Sequence, residues 1–463
     1  MSQKKYSLSN FMNKSDIIII GAGPGGYRAA ELAAKQGLSV TVFEKERVGG
    51  TCLNVGCIPT KCLARNAELL LSLSESAAFG VENLSYSFNF QTAIQRKDQV
   101  VESLRQGVET ILSHPSVSVV RAHAAFKDEH TVIADGDEFE ADHIIIASGS
   151  SSKMLNIDIA EGCEVLDSSD LLSLSQLPKS ICIIGAGVIG MEFASIFNAF
   201  GVEVTVVEFL KECLPVLDSD IAKRLRKTME KRGITFHLQC AVSGIIKDGV
   251  SFVNKKGKTE FVQAEKVLMA VGRKPNTEGL GLDTLGVTLD HGAVPVEASS
   301  FRVVGSAGSP LESVYAIGDA NGMQMLAHAA EMQAAHVVNL ILGKDDEIRL
   351  DIMPAAIFTT PEAACVGLSE DACKNREMDY VCRKSFWRAN GKAMAMSETD
   401  GMLKLISDSD GMIVGCHAFG AHASDIIQEV SALMCRQTTV SQLADMVHIH
   451  PTLSEILKTA AEG

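Results

Sequence analysis

One alternation of apolar and polar positions occurs twice in the chain. In SDIIIIGAGPGGYRAAELAAKQGLSVTVFEK, residues 15 to 45, four isoleucines run into glycines. A helically spaced set of alanines follows, and then a second apolar run that ends at Glu44. A short unbroken apolar run bounded by glycine reads as a buried strand, so the order is strand, tight turn, helix, strand. SICIIGAGVIGMEFASIFNAFGVEVTVVEF, residues 180 to 209, repeats the plan. Two copies of one such unit predict two nucleotide-binding domains.

Weaker landmarks lie between and after the copies. HIIIASGS, 143 to 150, reads as a buried strand that ends in a turn of small residues. KVLMAVGRKPNT, 266 to 277, is a strand that leaves through Gly272, Arg273 and Pro275. SVYAIGDANG, 313 to 322, places Asp319 at the carboxyl end of a strand, where open α/β sheets collect ligands. From about residue 350 the glycine-rich turns stop, and IMPAAIFTTPEAACVGLS, GMLKLISDSDGMIVGCHAFG and HASDIIQEVSALMCRQ read as strands followed by helices. The predicted fold is α/β, with two Rossmann-like dinucleotide-binding domains and a C-terminal α+β domain. The expected boundaries are 1–150, 151–275, 276–348 and 349–463.

Composition narrows the function classes. At 463 residues the chain exceeds what one core supports. Its 46% hydrophobic and 21% charged content is ordinary for a soluble globular protein, and no apolar run is long enough to span a bilayer. The net charge of -15, with no basic stretch to track phosphates, argues against nucleic acid as a partner. The opening MSQKKYSLSNFMNKS is basic and Ser-rich without an apolar core. That argues against secretion and leaves an organelle-targeting reading open. The twelve scattered cysteines read as mostly buried thiols of a cytoplasmic protein.

Each glycine turn has the strand before, the helix after and an acid about twenty residues on, the context that makes the pattern specific. Gly21 permits the first turn, Gly23 lets the backbone approach a pyrophosphate, and Gly26 allows helix and strand to pack closely. Gly185, Gly187 and Gly190 repeat these roles. The pyrophosphate would rest on a helix N-terminus, where N–H groups and the dipole favour anions. Glu44 and Glu208 are placed to bind ribose hydroxyls. A carboxylate at Glu208 also repels a 2′-phosphate, so the second site is expected to take NAD rather than NADP.

GGTCLNVGCIPTK, 49 to 61, sets Cys52 and Cys57 five positions apart. Zinc wants about four ligands, and no matching pair follows. In a regular helix residues five apart lie about 8–9 Å between Cα atoms. A disulfide wants less than about 7 Å, so a bridge requires a tightened or irregular stretch, for which Gly56 and Pro59 are suited. A static staple adds little in a reducing cytosol, which leaves a disulfide that cycles.

GGTCLNVGCIPTK resembles the redox-active stretch of the flavin-dependent pyridine nucleotide-disulfide oxidoreductases. The resemblance continues through GAGPGGYRAA, GAGVIGMEFA, AIGDAN, LAHAA, FTTPEAACVG and HIHPTLSE. HIHPTLSE, together with Glu208, resembles the branch that oxidises dihydrolipoamide more than the glutathione reductases. This resemblance implies FAD and NAD as cofactors, Cys57 beside the flavin and Cys52 as the interchange thiol. It implies Lys61 near the flavin ring, paired with Glu192. His450 would take the proton from dihydrolipoamide and Glu455 would orient its ring, with a cis bond before Pro451 able to aim it. His448, His422 and His417 fall to structural roles. The FAD site would draw on Gly21, Gly23, Gly26, Glu44, Lys45, Gly50, Thr51, Lys61, Ala124, Ser148, Gly149, Asp319, Leu326, Ala327 and His328. The NAD site would draw on Gly185, Gly187, Val188, Gly190, Glu192, Glu208, Val242 and Gly272. No metal is implied.

The family pattern further implies a homodimer joined through the last domain, with the histidine and glutamate reaching the other subunit's cysteines. The implied partners are a lipoyl-bearing acyltransferase of a 2-oxoacid dehydrogenase complex and the lipoyl carrier of glycine cleavage. Two stretches depart from the pattern: LAHAAEMQA is less acidic than usual after Ala327 and His328, and SSSKMLN lacks a proline. They bear on flavin contacts and a domain hinge. The acidic GKDDEIRLD, 343 to 351, reads as a solvated loop.

Overall fold

In the computed structural model, which describes residues 13 to 463, the isoleucine run forms the strand Asn13–Ile20 at the middle of a mostly parallel sheet. Its neighbours are Val40–Phe43 and Asp137–Ile146, with Ile18 facing Thr41 on one side and Ile144 on the other. Pro310–Ala316 and Arg302–Val304 extend one edge and Val117–Val120 the other, while Ala125–Asp128 and Thr131–Ala134 pair antiparallel beside Asp137–Ile146. Ile17, Ile18 and Ile19 are fully buried because both faces of the sheet are covered, which is why the run is unbroken rather than alternating. The helices Pro24–Lys35 and Ala327–Ile341 pack against each other: a Cβ added to Gly25 would lie 3.3 Å from the Ala330 Cβ. These elements form one compact unit, made of the described residues 13–54 with 101–151 and 273–348.

The second unit comprises residues 55–100, 152–272 and 349–463. Ser180–Ile184 is central in a five-stranded parallel sheet between Glu203–Glu208 and Lys266–Met269. The helix Val188–Ala199 lies between that sheet and the cysteine helix Cys57–Ser74, and is buried over most of its length. A four-stranded sheet built on Ala241–Ile246 and Gly249–Val253 flanks it. The chain after residue 350 makes a five-stranded antiparallel sheet in the order Ala355–Ile357, Ala363–Gly367, Ile413–Phe419, Met402–Asp408, Tyr380–Phe386. The helices Ala423–Cys435 and Glu455–Glu462 cover it. Trp387 is fully buried there, against Gly401 and Gly420, where any side chain would collide with the indole.

No described helix is long and apolar enough to cross a membrane, and the described residues hold no group suited to a metal. Most of the basic opening segment, residues 1 to 12, lies outside the described residues.

Candidate active site

Each glycine turn is closed by the chain itself. Gly21 has φ +108, and a Cβ there would sit 2.3 Å from the Ala147 carbonyl oxygen; a Cβ on Gly26 would sit 1.8 Å from the Gly21 oxygen. In the second unit Gly185 has φ +103 and faces the Ala270 oxygen at 2.5 Å, and Gly190 faces the Gly185 oxygen at 2.0 Å. Gly23 and Gly187 begin the following helices, and neither helix has a side-chain cap. Their first-turn N–H groups therefore stay available to an anion. A Cβ on Gly187 would meet nothing within 4 Å, and on Gly23 only the Gly50 Cα at 3.8 Å. Two uncapped helix starts with space beside a glycine fit a dinucleotide pyrophosphate.

The acids that follow tie back to their own turns. Glu44 Oε2 accepts from the Ala22 N–H at 2.9 Å and Oε1 from Glu46 N–H at 2.8 Å. Glu208, 8% exposed, accepts from Ala186 N–H at 2.5 Å and Leu210 N–H at 2.7 Å. Each carboxylate keeps lone pairs for a ribose. Val188 opens the second helix and is exposed, Val242 is half-buried, and Gly272 has φ +113.

The remaining first-unit residues cluster around the strand ends. Asp319 lies in the short turn Gly318–Asn321, where it accepts from the Ser150 hydroxyl, and Arg273 Nε donates to that same hydroxyl at 2.7 Å. The Arg273 guanidinium is 3.8 Å from Asp319. The sequence marks Arg273 only as part of a turn; nothing local links it to a residue 123 positions away. Ser148 donates to the Asn276 carbonyl at 2.7 Å, and Gly149 has φ +72. Leu326 caps the helix that Ala327 and His328 begin. Ala124 is buried, Thr51 is exposed, and Lys45 reaches its neighbour Glu46 at 4.0 Å. Gly50 has φ +60, and a Cβ there would lie 2.6 Å from the Gly23 Cα, so the helix Gly50–Val55 starts against the first glycine turn.

Cys52 is half-buried in that helix, and Cys57 is exposed at the start of the next. The irregularity expected from Gly56 is present: its φ of -138 and ψ of -110 break the helix between the two cysteines. Lys61 lies one turn beyond Cys57, and its Nζ is 3.0 Å from both carboxylate oxygens of Glu192. Glu192 is 4% exposed and also accepts from the Phe358 N–H at 2.9 Å, while the Phe358 ring lies 4.5 Å from the Lys61 nitrogen. Sequence reasoning misses Phe358, because no local signal ties it to Lys61.

Near the C-terminus, His450 Nδ1 is 2.9 Å from Glu455 Oε1, and Glu455 Oε2 accepts from the Thr452 N–H at 2.9 Å. That backbone donor first, then His450, holds the Glu455 carboxyl below its ordinary range. The His450 ring is 78% exposed, and the peptide bond to Pro451 is cis. His448 differs: its ring is 6% exposed and both nitrogens are bonded within the chain, to Met446 and Glu429. His417 is buried and accepts from the Asp218 N–H at 3.0 Å, and His422 faces Asp425.

Residues 15–334 match the family model for pyridine nucleotide-disulphide oxidoreductases, and 353–461 match that family's dimerisation domain. Dihydrolipoyl dehydrogenase of Chlamydia trachomatis is 36% identical, with 97% of each chain covered. That of Mycobacterium tuberculosis is 37% identical, with 98% of each covered. Among solved structures, a Cu(II) complex of the HOCl-induced flavoprotein disulfide reductase RclA from Escherichia coli superimposes with TM-score 0.85 at 28% identity, covering 97% of this chain and 99% of that one. The chain belongs to the pyridine nucleotide-disulphide oxidoreductase family, in its dihydrolipoyl dehydrogenase branch, and is an FAD- and NAD-dependent oxidoreductase.

Proposed function

We propose that this enzyme oxidises protein-bound dihydrolipoamide to lipoamide and reduces NAD, as the shared component of 2-oxoacid dehydrogenase complexes or of glycine cleavage. The observation that carries the reading is the exposed His450 ring held by Glu455, in a chain that also presents Cys52 and Cys57 around a broken helix. In this reading His450 Nε2 takes the proton of a substrate thiol, while Glu455 stabilises the imidazolium through Nδ1–H. The substrate thiolate attacks Cys52 Sγ, the Cys52–Cys57 bond breaks, and Cys57 leaves as a thiolate. The second substrate thiol then attacks the mixed disulfide, cyclic lipoamide forms, and Cys52 leaves. Bound FAD and NAD supply the two-electron chemistry that carries the reducing equivalents onward. Lys61, one turn along from Cys57 and paired with Glu192, would sit near the flavin ring in this reading.

Residues 1–150 and 276–348 would hold FAD and 151–275 NAD. Glu208 supports NAD over NADP, because a 2′-phosphate would meet a buried carboxylate. Residues 349–463 would join two copies, so that one subunit's His450 and Glu455 serve the other's cysteines. The acyltransferase and the glycine-cleavage carrier are the lipoyl-bearing partners in this reading. A cytoplasmic setting accords with buried thiols outside any disulfide, such as Cys182 and Cys365.

The test is an assay of the purified yellow protein with NAD and free dihydrolipoamide. NADH formation that is abolished by Cys57→Ser is expected. A flavin-loaded protein without turnover would overturn the substrate assignment.

A further inference from the structure

The His450 ring projects from a turn that two other elements hold in place. Residues 449 to 452 close on themselves, because the Thr452 hydroxyl donates to the Ile449 carbonyl at 2.8 Å. Just before this turn the His448 ring is turned inward and almost fully covered, while Val447 and Ile449 on either side face outward. His448 Nδ1 is 3.2 Å from the Met446 carbonyl oxygen, and Nε2 is 3.1 Å from Glu429 Oε1 on the helix Ala423–Cys435. Both partners are acceptors, so a ring with two N–H groups donates to both, and the link to Glu429 is then charge-assisted. Behind the turn, Nδ2 of the buried Asn390 donates to the Thr452 carbonyl at 3.0 Å. Its Oδ1 accepts from the Lys392 and Ala393 N–H groups, each at 3.0 Å. The amide therefore cannot swing away without uncapping the helix Gly391–Met396.

We propose that His448 with Glu429, and Asn390, are positioning residues for the base: they mount the His450 turn on two helices, at its two ends. The inference rests on His450 being the group that takes the substrate thiol's proton. That transfer needs Nε2 within hydrogen-bond reach of the thiol, and a misplacement of about 1 Å can cost on the order of 10²-fold in rate. Glu455 fixes how the ring is turned. Where the turn itself lies is set by the two mounts, which act through His450 and not on the substrate. An exposed ring on a surface turn otherwise has little to hold it, and the His450 ring is among the most exposed of the site.

Each mount is removed on its own in the flavin-loaded enzyme. Glu429→Ala takes away the acceptor of His448, and Asn390→Asp keeps the helix-capping oxygen but loses the donor to Thr452. In each variant, amide exchange over residues 446 to 453, followed by hydrogen–deuterium exchange mass spectrometry, is expected to quicken about fivefold. The kcat for dihydrolipoamide is expected to fall about tenfold with little change in KM. NADH oxidation by ferricyanide, which draws electrons from the flavin without a thiol or its base, is expected to hold the parent rate. Glu429→Gln is expected to recover most of the lost turnover, because its amide can donate to one ring nitrogen while the other donates to Met446. Exchange that stays with the parent, or both activities falling together, overturns the mounts. His450→Gln is the reference: should it keep dihydrolipoamide turnover while exchange quickens in the two variants, the base assignment fails and the mounts stand.

Discussion

A histidine with its ring in solvent is an indifferent base until something fixes its tautomer and orientation. For His450 that is Glu455, itself held by the Thr452 N–H. Glu455→Gln keeps the size and loses the charge that supports an imidazolium. Dihydrolipoamide oxidation is expected to fall about 10²-fold in kcat, measured by steady-state kinetics with bound flavin unchanged. Lys404 sets a different problem at the same scale. It is 2% exposed, and its Nζ contacts Asp218, which is fully buried, at 2.6 Å and Glu370 at 2.8 Å. Burial works against its charge, but the two carboxylates raise its pKa overall. Lys404→Met would leave Asp218 a buried, uncompensated anion, at about 3–5 kcal/mol of stability. Chemical denaturation measures this, and adding Asp218→Asn is expected to cost less than the sum of the two single changes.

Among the elements, the glycine turns link packing to ligand binding. Gly190 is the clearest case, because a Cβ would fall 2.0 Å from the backbone oxygen of Gly185. The helix Val188–Ala199 would have to move off its strand, carrying its N–H donors with it. Gly190→Ala is expected to raise KM for NAD at least tenfold while the bound flavin persists; titration with NAD and the flavin spectrum check both halves. The cysteine stretch shows the converse. Spacing alone implies that a regular helix would hold Cys52 and Cys57 apart, and the chain answers with a break at Gly56. The pairing of Lys61 with Glu192 and Phe358 was legible only in part. The acid lies in a recognisable motif, but the ring is 166 residues beyond it and has no signature of its own.

For the molecule as a whole, two kinds of response follow. The region that matches a dimerisation domain displays Val447, 98% exposed, and Ile449, 78% exposed, on either side of His448. Large apolar groups this bare suit a surface covered by a second copy. Val447→Asp with Ile449→Asp is expected to shift sedimentation toward monomer and to reduce turnover in step. The second response is to acid. Glu370 is held down to about 2, chiefly by Lys404 and then Lys374, and His417 is pushed down to about 4 by burial. A depressed carboxyl contributes stability above its unfolded value that is lost as pH falls through the folded one. A histidine kept neutral loses stability as pH falls from its unfolded value, because the unfolded chain takes up the proton first. The melting temperature is therefore expected to fall from about pH 6.5 downward, with His417 accounting for on the order of 3 kcal/mol by pH 4. A melting curve flat between pH 7 and pH 4 would contradict this.

Local chemistry made much of the protein readable in one dimension. Strand, glycine turn, helix and acid fall within about thirty residues of each other, and their spacing is set by backbone sterics, so the two glycine turns and their acids were plain from the chain. The same holds for the cysteine stretch and for His450 with Glu455, whose partners are five positions apart. Tertiary structure decided what depends on packing between distant segments: Arg273 on Ser150, Phe358 on Lys61, Tyr27 on Glu331, and Lys404 among Asp218 and Glu370. These contacts carry no periodicity. Each exists only because two elements are pressed together by cores that form elsewhere.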